Sequence, residues 1–194
     1  MSSSAQTVLS FWLEETSPED RFRASDVLDA EIRQRFLADW EELAAGGLGS
    51  WLCGPMGALA YVLLADQLPR NMFRGDPRSF ATDVKARQAT KMALARGFDL
   101  RLTAEQRHFL YMPLMHSEVL PDQERGVRMV MMRIQGQDEI LLHALCHRDV
   151  IRRFGRFPFR NDALGRDTTA GEAHVLESGG YGAVVRARQA AAAA

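Results

Sequence analysis

The sequence predicts an all-α protein: a single-domain array of antiparallel helices around one core. Three observations predict it. Apolar residues recur at three- and four-residue spacings along most of the chain. No alternating run flanks an Asn-Gly hairpin turn. Gly, Pro, Ser and Thr fall where helices would start or stop. A composition of 46% hydrophobic and 25% charged residues is globular, and 194 residues suffice for a sizeable core.

The elements follow in order. A first helix covers about 5–14, with Val8 and Trp12 four apart. A second runs from Asp26 to Ala45. Leu28, Ile32, Phe36, Trp40 and Leu43 share one face, and Gly46-Gly47 stops it. Gly54-Pro55 opens a third helix, apolar on every side from Ala58 to Ala65 and therefore central; Pro69 should end it. A fourth spans Asp83 to Arg96 before Gly97, and a fifth starts at a Thr103/Gln106 capping box. Pro113 lies inside that fifth helix and should kink or end it. A sixth runs from Pro121 to Ile134, with Val127, Val130, Met131 and Ile134 facing inward. A seventh covers Asp138 to Phe154, and a last short helix follows Thr169, with Glu172 completing a second capping box. The domain is read as residues 1–178, and 179–194, ending in AAAAA, as a flexible C-terminal tail.

Composition excludes several function classes. With 25 acidic residues against 24 Lys plus Arg, the net charge is −1, which argues against nucleic acid and anionic membrane as partners. The longest all-apolar run, Ala58–Ala65, falls far short of the ~20 residues of a membrane span. The opening MSSSAQTVLSFWLEE has no basic region and too short an apolar stretch for a secretory signal. Two cysteines, Cys53 and Cys146, imply no disulfide framework, so the expected location is the cytoplasm. Charge is nevertheless uneven. Residues 1–45 carry ten acids and four bases, whereas 66–166 carry twelve acids and eighteen bases, which suits either mixed helix surfaces or a basic concavity for a small anion.

Four segments place polar groups where burial is expected. The central helix ends in Asp66-Gln67-Leu68-Pro69-Arg70-Asn71, and a carboxylate at a helix C-terminus opposes the dipole by up to ~1 kcal/mol. It should need a cation, with Arg70 and Arg74 nearest. Asp66, Gln67, Arg70, Asn71 and Arg74 form either a ligand-binding wall or a salt-bridged helix end. In the seventh helix His147 falls within roughly 20° of Ile140 on the apolar stripe, and His143 on its edge. That spacing can hold a metal, but Ala144 stands where a zinc-protease motif needs glutamate, and no metal site is predicted. Instead His147 reads as a core histidine bonded to a carboxylate or carbonyl, or as a proton carrier. Met115-His116-Ser117-Glu118 offers His116 or Glu118 as a general base with a distant partner. Finally, Phe157-Pro158-Phe159 must pack as irregular chain, interleaved with Arg156, Arg160 and Arg166, whose forks suit carboxylate or phosphate.

At these residues the chain resembles the bacterial family called domain of unknown function 924. The matching stretches are Phe11-Trp12, DQLPRNMFRG at 66–75, FATD at 80–83, YMPLMHSE at 111–118 and RFGRFPFRNDALGR at 153–166, together covering roughly 10–178. The resemblance implies an all-helical fold of tetratricopeptide-like architecture; the family has no established activity. Two departures stand out. Phe159 occupies a position where the family often has histidine, and Val119-Leu120-Pro121 replaces an expected acidic pattern.

The functional expectation is one polar pocket for a small anionic ligand, with no cofactor. Asp66, Gln67, Arg70, Asn71 and Arg74 would form one wall, His116 and Glu118 a second, and His147, Arg156, Arg160 and Asn161 a third. His116, Glu118 and His147 are the candidate catalytic groups. The alternative is a non-enzymatic tetratricopeptide-like scaffold that binds a protein partner in an interhelical groove.

Overall fold

The computed structural model describes residues 4–192, and among them the chain is all-α with no strand. Among the described residues ten α-helices form: α1 Ala5–Ser10, α2 Asp26–Ala44, α3 Pro55–Val62, α4 Leu68–Met72, α5 Asp83–Ala95, α6 Ala104–Met115, α7 Leu120–Arg133, α8 Asp138–Phe154, α9 Ala170–Glu177 and α10 Gly180–Ala192. None is long and apolar enough to cross a membrane. The chain divides into two compact units, Met1–Pro113 and Leu114–Ala194.

In the first unit the apolar run works as its composition requires. Every residue from Ala58 to Ala65 is buried, and α3 packs against α1 and α5 while α2 packs on α4. Ile32, Phe36, Trp40 and Leu43 all point inward from α2. Pro69 does not end the central helix. After Val62 the chain widens into a π-turn, Leu63–Gln67, whose closing bond runs from the Leu68 N–H to the Leu63 carbonyl. Pro69 then falls in the first turn of α4, where its missing donor is not required. The first helix widens in the same way, α1 passing into a π-turn at Phe11–Glu15.

In the second unit α7 packs on α8, and α10 on both α8 and α9. Val150, Ile151 and Phe157 form one buried cluster there, flanked by Phe154, Phe159 and Val184. Val127, Val130 and Ile134 are buried as expected, but Met131 is 61% exposed. It follows Val130 by ~100° of helical rotation, which carries it off the buried stripe. Both capping boxes form, Thr103 with Gln106 and Thr169 with Glu172. Pro113 is accommodated, since α6 continues two residues beyond it to Met115. Residues 180–192, expected as a flexible tail, run instead as α10, because Tyr181 and Val184 give the segment an apolar face that packs on α8.

Gly57 in α3 marks a close approach. A Cβ there would lie 2.1 Å from the Trp51 carbonyl oxygen. Gly→Ala in a helix interior ordinarily stabilises by roughly 1 kcal/mol. Gly57→Ala should instead destabilise by ~1–3 kcal/mol, because backbone must shift. Urea denaturation of the two proteins measures the sign.

Candidate functional site

The predicted site residues fall in both units. In the first, Asp66 occupies the π-turn and is fully buried. The cation it requires is Arg70, 3.4 Å away. Gln67 donates through Nε2 to the Asp66 carboxylate. Arg70 also donates to both oxygens of Asp83, at 3.1 and 3.2 Å. Burial opposes the Arg70 charge, but Asp66 and Asp83 overcome it and raise the guanidinium above its ordinary value. Asp66, Gln67 and Arg70 therefore brace the turn into α4.

Asn71 and Arg74 are turned elsewhere. Asn71 Nδ2 donates to Asp29 Oδ1 at 2.8 Å, and Arg74 grips the same carboxylate through Nε and Nη2 at 2.8 and 2.9 Å. These residues line a polar cleft of about 670 Å³ with Asp26, Arg33, Asp76 and Arg78. Arg78 closes its own fork on Asp76 and lies 4.5 Å from the centre of the Phe73 ring. Sequence reasoning missed Asp29, although a signal existed: it lies within roughly 20° of Phe36 on the α2 wheel, a carboxylate on the apolar stripe.

In the second unit two segments converge. The Glu118 carboxylate accepts from Arg166 at 2.8 and 3.1 Å and from the Phe157 N–H at 2.8 Å. Burial would raise its pKa, but Arg166 and that N–H hold it below the ordinary carboxylate value. Both oxygens thus accept bonds, and Glu118 anchors the Phe-Pro-Phe segment. Arg166 further donates to the Phe157 carbonyl and to Asn161 Oδ1. Arg156 is equally committed: Nε and Nη2 grip Glu172 at 2.6 and 2.8 Å, and Nη2 also reaches the Asp167 carbonyl. Asn161 Nδ2 points toward Thr168 and Glu172.

His147, His116 and Arg160 remain as the chemically distinctive group. His147 Nδ1 lies 2.9 Å from the His143 carbonyl. A carbonyl can only accept, so Nδ1 carries the proton and Nε2 the lone pair. The His147 ring stacks on Tyr181 at 4.8 Å between centroids and meets Phe157 and His116 edge-on at 5.6 and 5.9 Å. Burial, helped by His116, His143 and Arg160, pushes its pKa down to about 3, so the ring is neutral at physiological pH. Arg160 Nη2 donates to the His116 carbonyl at 2.9 Å, and its guanidinium sits 4.6 Å from the Phe157 ring centre. Tyr181 was not foreseen: its hydroxyl is 2.8 Å from His143 Nδ1, and burial raises its pKa. A third feature of this unit is an apolar groove of about 470 Å³ lined by Val150, Phe154, Val175 and Val184.

Residues 8–180 match the family described as bacterial protein of unknown function (DUF924). The chain belongs to that family. A solved structure similar to it, from Agrobacterium tumefaciens and likewise of unknown function, shares 37% identity over 90% of this chain and 97% of its own, with a TM-score of 0.84. No curated protein matches the chain. Within this DUF924 chain, Phe159 lies edge-on to Tyr181 at 5.8 Å, filling with an apolar ring the place where a histidine was expected from the resemblance.

The Arg156–Glu172 pair has a measurable signature. Bonds from Arg156 and the Thr169 N–H hold Glu172 at about 2, against an ordinary 4.5. A carboxyl depressed in this way stabilises the fold above 4.5 and loses that contribution as pH falls toward 2. Glu172→Gln should flatten the drop in melting temperature across that window, which thermal unfolding at both pH values checks.

Proposed function

We propose that the unit Leu114–Ala194 binds a small anionic ligand at Arg160, with His147 as a proton acceptor beside it. One observation carries the reading. His147 is held as a neutral imidazole whose Nδ1 is spent on the His143 carbonyl, while Phe157 meets both its ring and the Arg160 guanidinium. A guanidinium supplies donors to carboxylate or phosphate, and the neutral imidazole supplies an acceptor whose proton affinity a bound anion beside it would raise. Arg156, Asn161 and Glu118 serve this site by fixing the segment that carries Arg160. His116 adds its carbonyl to the arginine and its ring to the histidine.

A second reading, a tetratricopeptide-like interaction scaffold, is favoured by the apolar groove on α8, α9 and α10, where Val184→Glu would abolish capture of an amphipathic peptide. Cytoplasmic residence belongs to either reading and is supported by two free cysteines, Cys53 exposed and Cys146 buried.

Thermal-shift titration with phosphate, sulfate and short carboxylates at pH 7 tests the first reading. Arg160→Gln should remove any anion-induced rise in melting temperature, and an unchanged response in that variant overturns the assignment. Histidine chemistry gives a second check. A histidine depressed to about 3 contributes stability above its ordinary 6.5 and loses it as pH falls. Between pH 7 and pH 5 the wild type should lose about 2 kcal/mol more than His147→Gln. Urea denaturation at the two pH values measures the difference.

A further inference from the structure

The polar cleft of the unit Met1–Pro113 shares no residue with the site just proposed and contains an uneven set of charges. Three arginines and three aspartates line it: Arg33, Arg74 and Arg78 with Asp26, Asp29 and Asp76. Two of the three possible pairs are closed. Arg74 grips Asp29 with two bonds, and Arg78 grips Asp76 the same way. Those carboxylates are neutralised and their arginines oriented. The third pair is open. Arg33 spends Nε and Nη2 on the Met72 carbonyl at the end of α4, and among the described residues no carboxylate reaches it. Asp26, in the first turn of α2, has no hydrogen-bonded cation among the described residues either; Arg74, already committed to Asp29, acts on it only through space.

Asp26 and Arg33 cannot close on each other easily. They stand seven residues apart on α2, nearly two full turns, so they share one face within roughly 20° but are separated by roughly 10.5 Å along the axis. Asn71, Arg74 and buried Asp29 fill the floor between them. The cleft thus presents an acceptor at one end, a donor at the other, and a neutralised polar floor. A simple anion would satisfy Arg33 while being repelled by Asp26; a simple cation would do the reverse.

We propose that this cleft binds a small zwitterion of the short-peptide class, its ammonium at Asp26 and its carboxylate at Arg33. Length follows from the separation. Extended chain spans about 3.3–3.6 Å per residue, so a free di- or tripeptide bridges the two groups, whereas a single amino acid holds its charges too close together. Leu37 and Phe73 supply apolar contact for small side chains along the wall. Exposed charges of this kind bind weakly and in a salt-sensitive manner.

Heteronuclear NMR titration of the full chain tests this with alanine, Ala-Ala, Ala-Ala-Ala, acetate, methylammonium, and Ala-Ala blocked at both termini, each to about 10 mM. Shift changes confined to α2 and 71–78, saturating for the free di- or tripeptide and at least about tenfold weaker for the blocked peptide and the single-charge probes, support the proposal. Asp26→Asn removes no bond within the fold; it should weaken the peptide by about tenfold and leave acetate unaffected or slightly improved. Arg33→Gln should also weaken the peptide, and its melting temperature separates lost binding from the lost bond to Met72. No response to any free peptide, equal response to the blocked one, or full affinity in Asp26→Asn each overturns it. Because none of these residues belongs to the His147–Arg160 site, failure here leaves that assignment standing, and the reverse also holds.

Discussion

In the unit Leu114–Ala194, one carboxylate holds the irregular chain in place. Residues 155–168 form little regular structure, so their backbone groups need partners from outside a helix ladder. Glu118 meets that need with three bonds to two positions, the Phe157 N–H and the Arg166 fork. Arg166 in turn closes on the Phe157 carbonyl, so the amide and carbonyl of one residue are both fixed. Phe157 can then enter the core beside Val150 and Ile151. From there its ring supports the Arg160 guanidinium and the edge of His147. The ring that Arg160 and His147 both meet is therefore held through that carboxylate.

The unit Met1–Pro113 solves a different problem. Its central helix is apolar on all sides, yet the chain places Asp66 at the helix end, fully buried. The π-turn and the following proline bring Gln67 and Arg70 alongside the carboxylate within five residues. Burying a charge without such partners costs several kcal/mol or more. Arg70 then extends the neutralisation to Asp83 in α5. Polar groups here stabilise a junction between helices, whereas those one turn further on, at Asn71 and Arg74, face a cleft.

What could be read from the sequence was what is local. The helices of the apolar periodicity, the capping boxes at Thr103 and Thr169, and the i, i+4 partnership of Asp66 with Arg70 all depend on residues within one turn of each other. The family resemblance was legible because its motifs are contiguous. Residue types at the site were also legible, but several roles were not. Glu118 finds its partner 48 residues away and Arg156 finds Glu172 16 residues away, and no spacing rule foretells such pairs. Pro69 misled because a π-turn ahead of it absorbs the missing donor. Tyr181 was not legible because it sits between glycines ahead of an alanine run, and its partner His143 lies 38 residues earlier.

The docking of that last helix gives the protein an internal gauge. Tyr181 lies flat against His147, so part of what keeps the imidazole dry is carried by α10. If α10 lifts away, water returns to the ring and its proton affinity rises toward that of ordinary histidine. Seating of the C-terminal helix would therefore be linked to proton release from an imidazole on α8. By that linkage acid would favour lifting and neutrality seating. A clip, a fusion or a binding event near residue 190 would register at position 147 without touching it.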